Sequence, residues 1–253
     1  MTRQPRQLLP GFCYHITVRC NNREFNLRQL ICRQLLLYCI QKSQIKFGYK
    51  LYGLCIMSNH VHYLLEPLLP EDLPKIMHWL NWYTAMCFNR LLRRKGHFWE
   101  QRYHSSGFES SDHERVLNTL RYIHANPKAA KMQVGFFYDF SNYGSYGRLV
   151  EDGLTQWHQA FLSLGKTLEE CATQYRGFCR RYKPKRKETQ YSRWGSSFLS
   201  GLSSRLSPRK RRAISPGQAI LPGFQGCQVS VSPEIDQVIS RFLMANSYQI
   251  GGA

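Results

Sequence analysis

Residues 50–65 read KLYGLCIMSNHVHYLL, and this stretch decides the fold. Two strand-like runs, Lys50 to Met57 and His60 to Leu65, are separated only by Ser58-Asn59. Runs of apolar and aromatic residues on both sides of so short a gap predict a β-hairpin. The stretch therefore predicts two adjacent antiparallel strands.

The segments on either side of the hairpin alternate between strand and helix signals. Phe12 to Arg19 alternates as a strand does, with one apolar face. Helical spacing predicts helices over 27–43 and 73–95, and residues 98–108 are typical of a further strand. Together with a helix over 111–126, this order predicts an α+β fold, in which one antiparallel sheet is flanked by helices.

The bounds of the helix over 111–126 follow from its flanking residues. Ser111 followed by Glu114 predicts a capping box at the start. Pro127 predicts the end, because the residue before a proline is disfavoured in helical geometry.

Four polar side chains of this helix share one face. Tyr122 and Asn126 lie one turn apart opposite the apolar stripe, with Arg115 and Thr119 on the same side. A phenol, an amide and a guanidinium are therefore expected to project together, away from the core. The ordinary alternative is a surface tyrosine followed by an asparagine at the helix end.

Two histidines of the hairpin are the candidate metal ligands. In a strand, His60 and His62 point to one face while Val61 points to the other, so two imidazoles can meet one metal ion. The chain has nine histidines, and a His-x-His pair arises readily by chance. Two ordinary strand histidines are therefore the alternative.

Charge and composition narrow the class of partner. The 253 residues carry a formal net charge of +19, which predicts a polyanionic partner, either nucleic acid or an anionic membrane surface. The apolar runs are too short to span a bilayer, and no signal peptide is visible, so a membrane partner is not expected. Nine cysteines without a Cys-x-x-Cys pair indicate reduced, packed thiols and a cytoplasmic protein, nucleoid-associated when DNA-bound.

Most of the net positive charge lies in residues 176–212. Residues 176–212 hold 13 lysines and arginines against one acidic residue, with aromatic residues interleaved. Cations that meet phosphates and rings that stack on bases predict a nucleic-acid-binding segment; a solvated linker is the alternative. The candidate DNA-binding residues are Arg115, Arg180, Arg181, Lys183, Lys185, Arg186 and Lys187.

The composition divides the chain into three parts. These are a main domain over 1–150, a helical extension over 151–182, and a basic, partly flexible tail over 183–253 that ends in a short amphipathic helix pattern.

Four sequence blocks, in this order and spacing, resemble one known family. They are Tyr14-His15-Ile16-Thr17, Met57 to Leu65, Phe98 to Tyr103 and Arg121 to Ala130. Together they resemble the HUH single-tyrosine transposases, most of all the branch associated with repetitive extragenic palindromes. The resemblance covers roughly residues 8 to 150, and it departs at Ser58, where a proline is usual.

The resemblance implies a ferredoxin-like, HUH-type sandwich and a chemistry. By it, Tyr122 is the nucleophile, and His60, His62 and Asn126 hold a divalent ion, Mg²⁺ or Mn²⁺. The implied activity is DNA transposition, in which single-stranded or hairpin DNA is cleaved and rejoined through a phosphotyrosine on the 5′ side of the break. Monomer and homodimer both remain open.

Other functions were weighed against this one. A replication initiator or relaxase is disfavoured, because no second tyrosine lies within a turn of Tyr122 and the length leaves no room for a helicase domain. A non-catalytic, domesticated DNA-binding protein and a water-using, metal-dependent nuclease stay open as alternatives.

Overall fold

The structure, a computed structural model, describes residues 8–100 and 102–183. The predicted tail over 183–253, with its short helix and the DNA-binding candidates Lys185, Arg186 and Lys187, lies outside the described residues except for Lys183.

Four strands form one antiparallel sheet in the order β2-β3-β1-β4, and helices cover both of its faces. The strands are β1 Phe12–Arg19, β2 Lys50–Ile56, β3 His60–Glu66 and β4 His104–Glu109. The helices are α1 Leu30–Phe47, α2 Asp72–Leu91, α3 His113–Ala129, α4 Tyr143–Gly147, α5 Gln159–Leu162 and α6 Leu168–Arg180. The predicted α+β sandwich is confirmed, and none of the described helices is long and apolar enough to cross a bilayer.

Strand alternation divides the core into two layers. On β1, Tyr14, Ile16 and Val18 are buried beneath α1 and α2 on one face of the sheet. On the other face, Leu64 of β3 and Cys13 pack in a second cluster with α3 and with the helices that follow it. The eight cysteines of the described residues are buried free thiols.

Several predicted bounds differ from the structure: the first helix ends at Phe47 rather than residue 43, and the second ends at Leu91 rather than residue 95. The first helix begins at Leu30 rather than residue 27, because residues 26–28 form a separate 3-10 turn. The last strand begins at His104 rather than residue 98. Phe98 and Trp99 are instead buried against α2, and Trp99 forms only an isolated bridge to Cys20.

The predicted capping box of α3 is wrong. Asp112 is the N-cap, and its carboxylate accepts a hydrogen bond from the Arg115 backbone N–H at 3.0 Å. The Ser111 hydroxyl instead donates to Glu109. Aspartate is as good an N-cap as serine, so the neighbouring residue takes the position.

The predicted end of α3 at Pro127 is also wrong, since the helix runs to Ala129. Proline lacks the N–H that would bond the Ile123 carbonyl. The side-chain amide of Asn126 donates to that carbonyl at 3.4 Å and to the Tyr122 carbonyl at 2.9 Å. This side chain supplies the donor that proline removes, so the helix continues for another half turn.

α3 is held to the rest of its layer by a buried histidine. The Asn142 side-chain oxygen accepts from His124 Nε2 at 2.9 Å and from the Leu54 backbone N–H at 2.7 Å. His124 Nδ1 in turn accepts from the Tyr175 hydroxyl at 2.8 Å. One ring therefore links α3 to β2 and to α6. The domain bounds predicted at 150 and 182 stay predictions.

A second buried polar network joins the sheet to the segment before α5. Ser110 donates to Glu66 at 2.8 Å and lies 2.8 Å from His158 Nε2. His158 Nδ1 accepts the Ala160 backbone N–H at 2.9 Å, so Nδ1 carries the lone pair and Nε2 carries the proton. Burial lowers the pKa of His158 to about 4, while Glu66 raises it and His113 and Lys50 lower it.

This network predicts a pH effect on stability. An unfolded imidazole ionises near ~6.5, so between pH 6.5 and 4 the unfolded chain binds a proton that folded His158 does not. We expect His158 to contribute stability that is complete above pH 6.5 and is lost as the pH falls towards 4. His158→Asn keeps an acceptor for the Ala160 N–H but does not titrate. Denaturant unfolding from pH 8 to 4 should give a shallower decline for His158→Asn than for wild type; parallel curves would contradict the assignment.

Candidate active site

Strand register gathers a polar group on the α3 face of the sheet. In the antiparallel pairing of β1 with β3, Thr17 lies opposite His62 and Arg19 lies opposite His60. Directly opposed residues of an antiparallel pair share a face, and His15 shares it too, because it lies two positions before Thr17. The two candidate metal ligands therefore stand beside β1 side chains for which no role was predicted.

Tyr122 reaches this group from α3. Its ring centroid lies 5.8 Å from that of His62 and 5.7 Å from that of His15, both edge-on. The rings of His60 and His62 are 4.9 Å apart. The Tyr122 side chain is 43% exposed, whereas that of His62 is only 5% exposed. The structure thus brings the predicted nucleophile and the predicted histidine pair together at an accessible position.

His60 is held with its outer nitrogen free to ligate. Its Nδ1 lies 2.7 Å from Asn59 Oδ1, and the Asn59 amide nitrogen donates to the Arg23 carbonyl at 3.3 Å. A carbonyl oxygen only accepts, so Nδ1 of His60 is the donor and Nε2 carries the lone pair. An imidazole whose other nitrogen is fixed in this way is the usual form of a metal-binding histidine.

His62 is held in a comparable way by two β1 side chains. Its Nδ1 lies 3.0 Å from His15 Nε2 and 3.2 Å from the Thr17 hydroxyl. The rings of His15 and His62 are stacked, with centroids 5.3 Å apart. When Nδ1 donates to either partner, Nε2 is free for a metal ion.

Asn126 offers an oxygen from the helix. Its amide nitrogen is engaged by the Tyr122 and Ile123 carbonyls, which leaves the side-chain oxygen as an available acceptor. The three predicted ligands thus present two imidazole nitrogens and one amide oxygen. This neutral, mixed donor set fits a divalent ion such as Mg²⁺ or Mn²⁺ and does not exclude zinc.

Electrostatics keep the histidines in the neutral form that binds metals. Burial, aided by the Arg19 charge, lowers the pKa of His60 to about 4. Burial also holds the pKa of His62 well below its usual range, with contributions from His60, His15 and Arg19. Burial and the nearby His104 lower the pKa of His15 to about 4.

Two arginines can meet an anion at this site. Arg115 borders an open cleft of about 410 Å³ that is also lined by Tyr122 and His15, and its guanidinium lies 4.8 Å over the Phe108 ring. Arg19 forms no ion pair with a carboxylate in the part of the chain that the structure describes. Both charges are therefore available to a phosphate.

The other DNA-binding candidates of the described residues lie at the end of α6. Arg180, Arg181 and Lys183 are exposed there. Between them, Tyr182 is close enough to Tyr122 for the two phenols to interact electrostatically, since the pKa of Tyr182 is raised by burial and then by Tyr122.

The sequence interpretation assigned no role to His15, Thr17, Arg19 or Asn59. The sequence does contain part of the pattern that identifies them, since His15, Thr17 and Arg19 alternate along β1 with the buried residues of the opposite face. The pairing of β1 with β3, however, joins residues more than 40 positions apart, and alternation alone does not give that register.

A second cluster of potential metal ligands lies elsewhere on this face. Atoms of Cys13, Glu66 and His158 come within 4.8 Å of one another. His158 Nε2 carries its proton, as shown above, and burial raises the pKa of Cys13 to about 12. These donors serve each other through hydrogen bonds and are poor metal ligands in that state.

Gly53 sets the distance between α3 and the sheet. A Cβ atom there would lie 3.1 Å from the Leu64 Cβ and 3.2 Å from methyl groups of Leu120 and Ile123. A methyl group at this position requires these neighbouring side chains, or α3 with them, to shift by a few tenths of an ångström. Because Tyr122 lies between Leu120 and Ile123 along α3, its distance from the histidines depends on this contact.

We therefore expect Gly53→Ala to displace Tyr122 as well as to destabilise the fold. Overpacking a close contact of this kind costs about 1–3 kcal/mol. Gly144→Ala is the matched control, because a Cβ there meets no atom within 4 Å. Thermal unfolding should show a loss of stability for Gly53→Ala only. In the NMR spectra of this variant, the contacts between the tyrosine and histidine rings should weaken. Equal stability of the two variants would show that α3 does not rest on Gly53.

Part of the chain is similar to a known protein family. Residues 10–126 match a family model described as "Transposase IS200 like", a range that extends from β1 to Asn126. A solved structure described as "Structure of the REP associates tyrosine transposase bound to a REP hairpin" is similar with a TM-score of 0.49 and 17% identity, over 62% of this chain and 89% of that chain. No curated protein matches the sequence significantly. Residues 10–126 of the chain are thus similar to the IS200-like transposase family.

Proposed function

We propose that this protein is a transposase that cleaves and rejoins single-stranded or hairpin DNA through a covalent link to Tyr122. The observation that carries the proposal is the meeting of two elements, α3 and β3, at one exposed point. α3 presents the Tyr122 phenol, β3 presents the histidine pair, and the Tyr122 and His62 ring centroids are 5.8 Å apart. A phenol beside two neutral imidazoles suits attack on a phosphodiester better than a structural role.

His60, His62 and Asn126 would hold the divalent ion that this chemistry requires. When bound, such an ion draws negative charge from the non-bridging phosphate oxygens and makes the phosphorus a better electrophile. His15, Thr17 and Asn59 hold the two imidazoles in place through their Nδ1 atoms. Arg19, on the same face, adds a positive charge for the phosphate.

The reaction conserves the energy of the broken bond. The Tyr122 phenol gives up its proton as its oxygen forms a bond to phosphorus and the bond to the 3′-oxygen breaks. The departing 3′-oxygen takes up a proton, so the products are a 5′-phosphotyrosine and a 3′-hydroxyl. In the reverse sense, a second 3′-hydroxyl attacks the phosphotyrosine and releases the phenol, so rejoining needs no ATP. Arg115 does not act as the base, because a guanidinium stays protonated, but its charge suits the phosphate.

An accessible DNA backbone is expected, since in-line attack in an open cleft requires one. The cleft beside Tyr122 is lined by Arg115 and is open to solvent. Arg180, Arg181 and Lys183 lie exposed next to Tyr182, which is near Tyr122. Cations at this end of α6 are therefore placed to bind the phosphates that flank the cleaved bond.

The proposal predicts a protein–DNA adduct. Labelled single-stranded hairpin oligonucleotides, incubated with Mg²⁺ or Mn²⁺ and run on a denaturing gel, should give a protein-linked band. We expect the band to need the metal ion and to vanish in Tyr122→Phe, because phenylalanine has no nucleophile. His60→Ala and His62→Ala should reduce it by a factor of about 100 or more, as loss of a strong electrostatic contribution does. Tyr182→Phe is the matched control and should leave the band intact.

Other outcomes select the alternatives. Cleavage without an adduct that survives Tyr122→Phe would indicate a metal-dependent nuclease that uses water. Binding without cleavage across many substrates would indicate a DNA-binding protein that has lost its activity.

A second prediction concerns the basic segment. Residues 176–212 carry 13 lysines and arginines against one acid, and most of them follow Tyr182. A chain truncated after Lys183 should bind DNA more weakly, and its affinity should depend less steeply on salt, because fewer counterions are released on binding. Adduct formation at saturating DNA should change little. Equal loss of binding and of cleavage would contradict a purely DNA-binding role for this segment.

A further inference from the structure

A second cleft lies on the opposite face of the sheet from Tyr122. It has a volume of about 500 Å³ and lies between the middle of α2 and the segment that leads into β4. Its walls include Asn81 and Trp82 of α2 and Arg102 and Tyr103 of the segment. The volume is within the range of about 300–1,000 Å³ that small-ligand sites occupy.

We propose that this cleft binds one unpaired base of the DNA substrate strand, a few nucleotides from the cleaved bond. The substrate in this inference rests on the proposed function; the cleft and its chemistry do not.

The chemistry of the walls fits a nucleotide. Trp82 is 51% exposed, an unusual state for so large an apolar ring, and a base stacked on it would cover that surface. Asn81 and His78 also line the cleft and carry donors and acceptors suited to the edge of a base. No aspartate or glutamate is among the lining residues.

Charge complementarity favours nucleic acid over an apolar peptide. Arg102 lines the cleft and is exposed, and Arg93 and Lys95 are exposed in the loop that leads to it. An apolar peptide would gain nothing from these cations, whereas the phosphates on either side of a stacked base would meet them.

The start of β4 connects this cleft with the active site. Tyr103 lines the cleft and packs against the core beneath α2. The next residue, His104, lies opposite Thr17 and therefore on the α3 face. Thr17 lies 3.2 Å from His62 Nδ1 on that face, and the ring of the neighbouring His15 lies 5.7 Å from that of Tyr122. β4 is at the edge of the sheet, so a strand of DNA that leaves the Tyr122 site can pass around this edge into the cleft.

Abasic scanning tests the proposal. In a hairpin oligonucleotide with single-stranded extensions, one nucleotide at a time is made abasic, and binding to the full-length protein is measured by fluorescence anisotropy. We expect one position in an extension at which the abasic change weakens wild-type binding roughly tenfold, the effect of losing one stacked base. Trp82→Ala should bind the intact oligonucleotide more weakly than wild type does, by a similar factor. Its affinity should not fall further when the nucleotide at that position is made abasic.

Two variants serve as controls. Trp82→Phe keeps an aromatic face, so its affinity should still fall by most of the wild-type factor when the sensitive position is made abasic. Ile45→Ala removes an apolar side chain that is 75% exposed on α1 and lies outside the cleft, and it should bind as wild type does. The proposal is overturned if Trp82→Ala binds with wild-type affinity, or if its abasic profile equals that of wild type.

Photo-crosslinking of the unmodified protein gives a second test that does not depend on folding of a variant. An oligonucleotide with 5-iododeoxyuridine at the sensitive position should crosslink to Trp82 or Tyr103, and crosslinks confined to other residues would contradict the proposal.

The denaturing gel for the adduct distinguishes failure of this inference from failure of the proposed function. Ile45→Ala, which lies outside both sites, should form the Tyr122 adduct as wild type does. If wild type forms no adduct but the effect of the abasic change still depends on Trp82, the proposed strand transfer is wrong and the proposed base-binding cleft is supported.

Discussion

The pairing of β1 with β3 is the constraint on which the rest of the site depends. It places Thr17 opposite His62 and Arg19 opposite His60, and so directs the polar residues of both strands to the face that α3 covers. A slip of one residue would turn His60 and His62 into the apolar layer beneath α1 and α2 and bring Val61 to the site. The buried residues of the other face, Ile16 and Val61 among them, prevent that slip, because their burial would be lost with it.

A second constraint is how closely α3 rests on the sheet. Gly53 allows Leu120 and Ile123 to approach β2, and the buried His124 links α3 to β2 and α6. Tyr122 and Asn126 project from the opposite side of the same helix. The proposed nucleophile and the third candidate ligand are therefore positioned by one rigid element, and the two histidines by another. A site built on packed helices and strands holds its groups more exactly than one built on loops.

The sequence predicted the fold and the site to different depths. Alternation gave the bounds of β1 correctly, and the short Ser58-Asn59 gap predicted the hairpin that the structure contains. The end of α3 was mispredicted, because a rule about Pro127 could not anticipate that the Asn126 side chain supplies the missing donor. A local sequence rule of this kind fails when a neighbouring side chain supplies the hydrogen bond that the rule assumes to be missing.

Long-range contacts were beyond the sequence. The hydrogen-bond partners of His62 come from β1, over 40 residues away in sequence. The hydrogen-bonded network of Glu66, Ser110 and His158 joins three distant segments. Nothing in the local pattern of either set predicts its partners. The roles of Tyr122, His60, His62 and Asn126 remain predictions, and the structure adds that the rings of Tyr122 and the two histidines lie close together.

The central claim is that the Tyr122 oxygen becomes bonded to DNA, and peptide mass spectrometry tests it most directly. Protein incubated with hairpin DNA and Mn²⁺ is digested with nuclease and trypsin, and the peptides are searched for a nucleotide linked through its 5′ phosphate. We expect that mass on the peptide that contains residue 122, with the fragment ions placing it on the tyrosine. A nucleotide on a different residue, or cleaved DNA with no modified peptide, would contradict the claim.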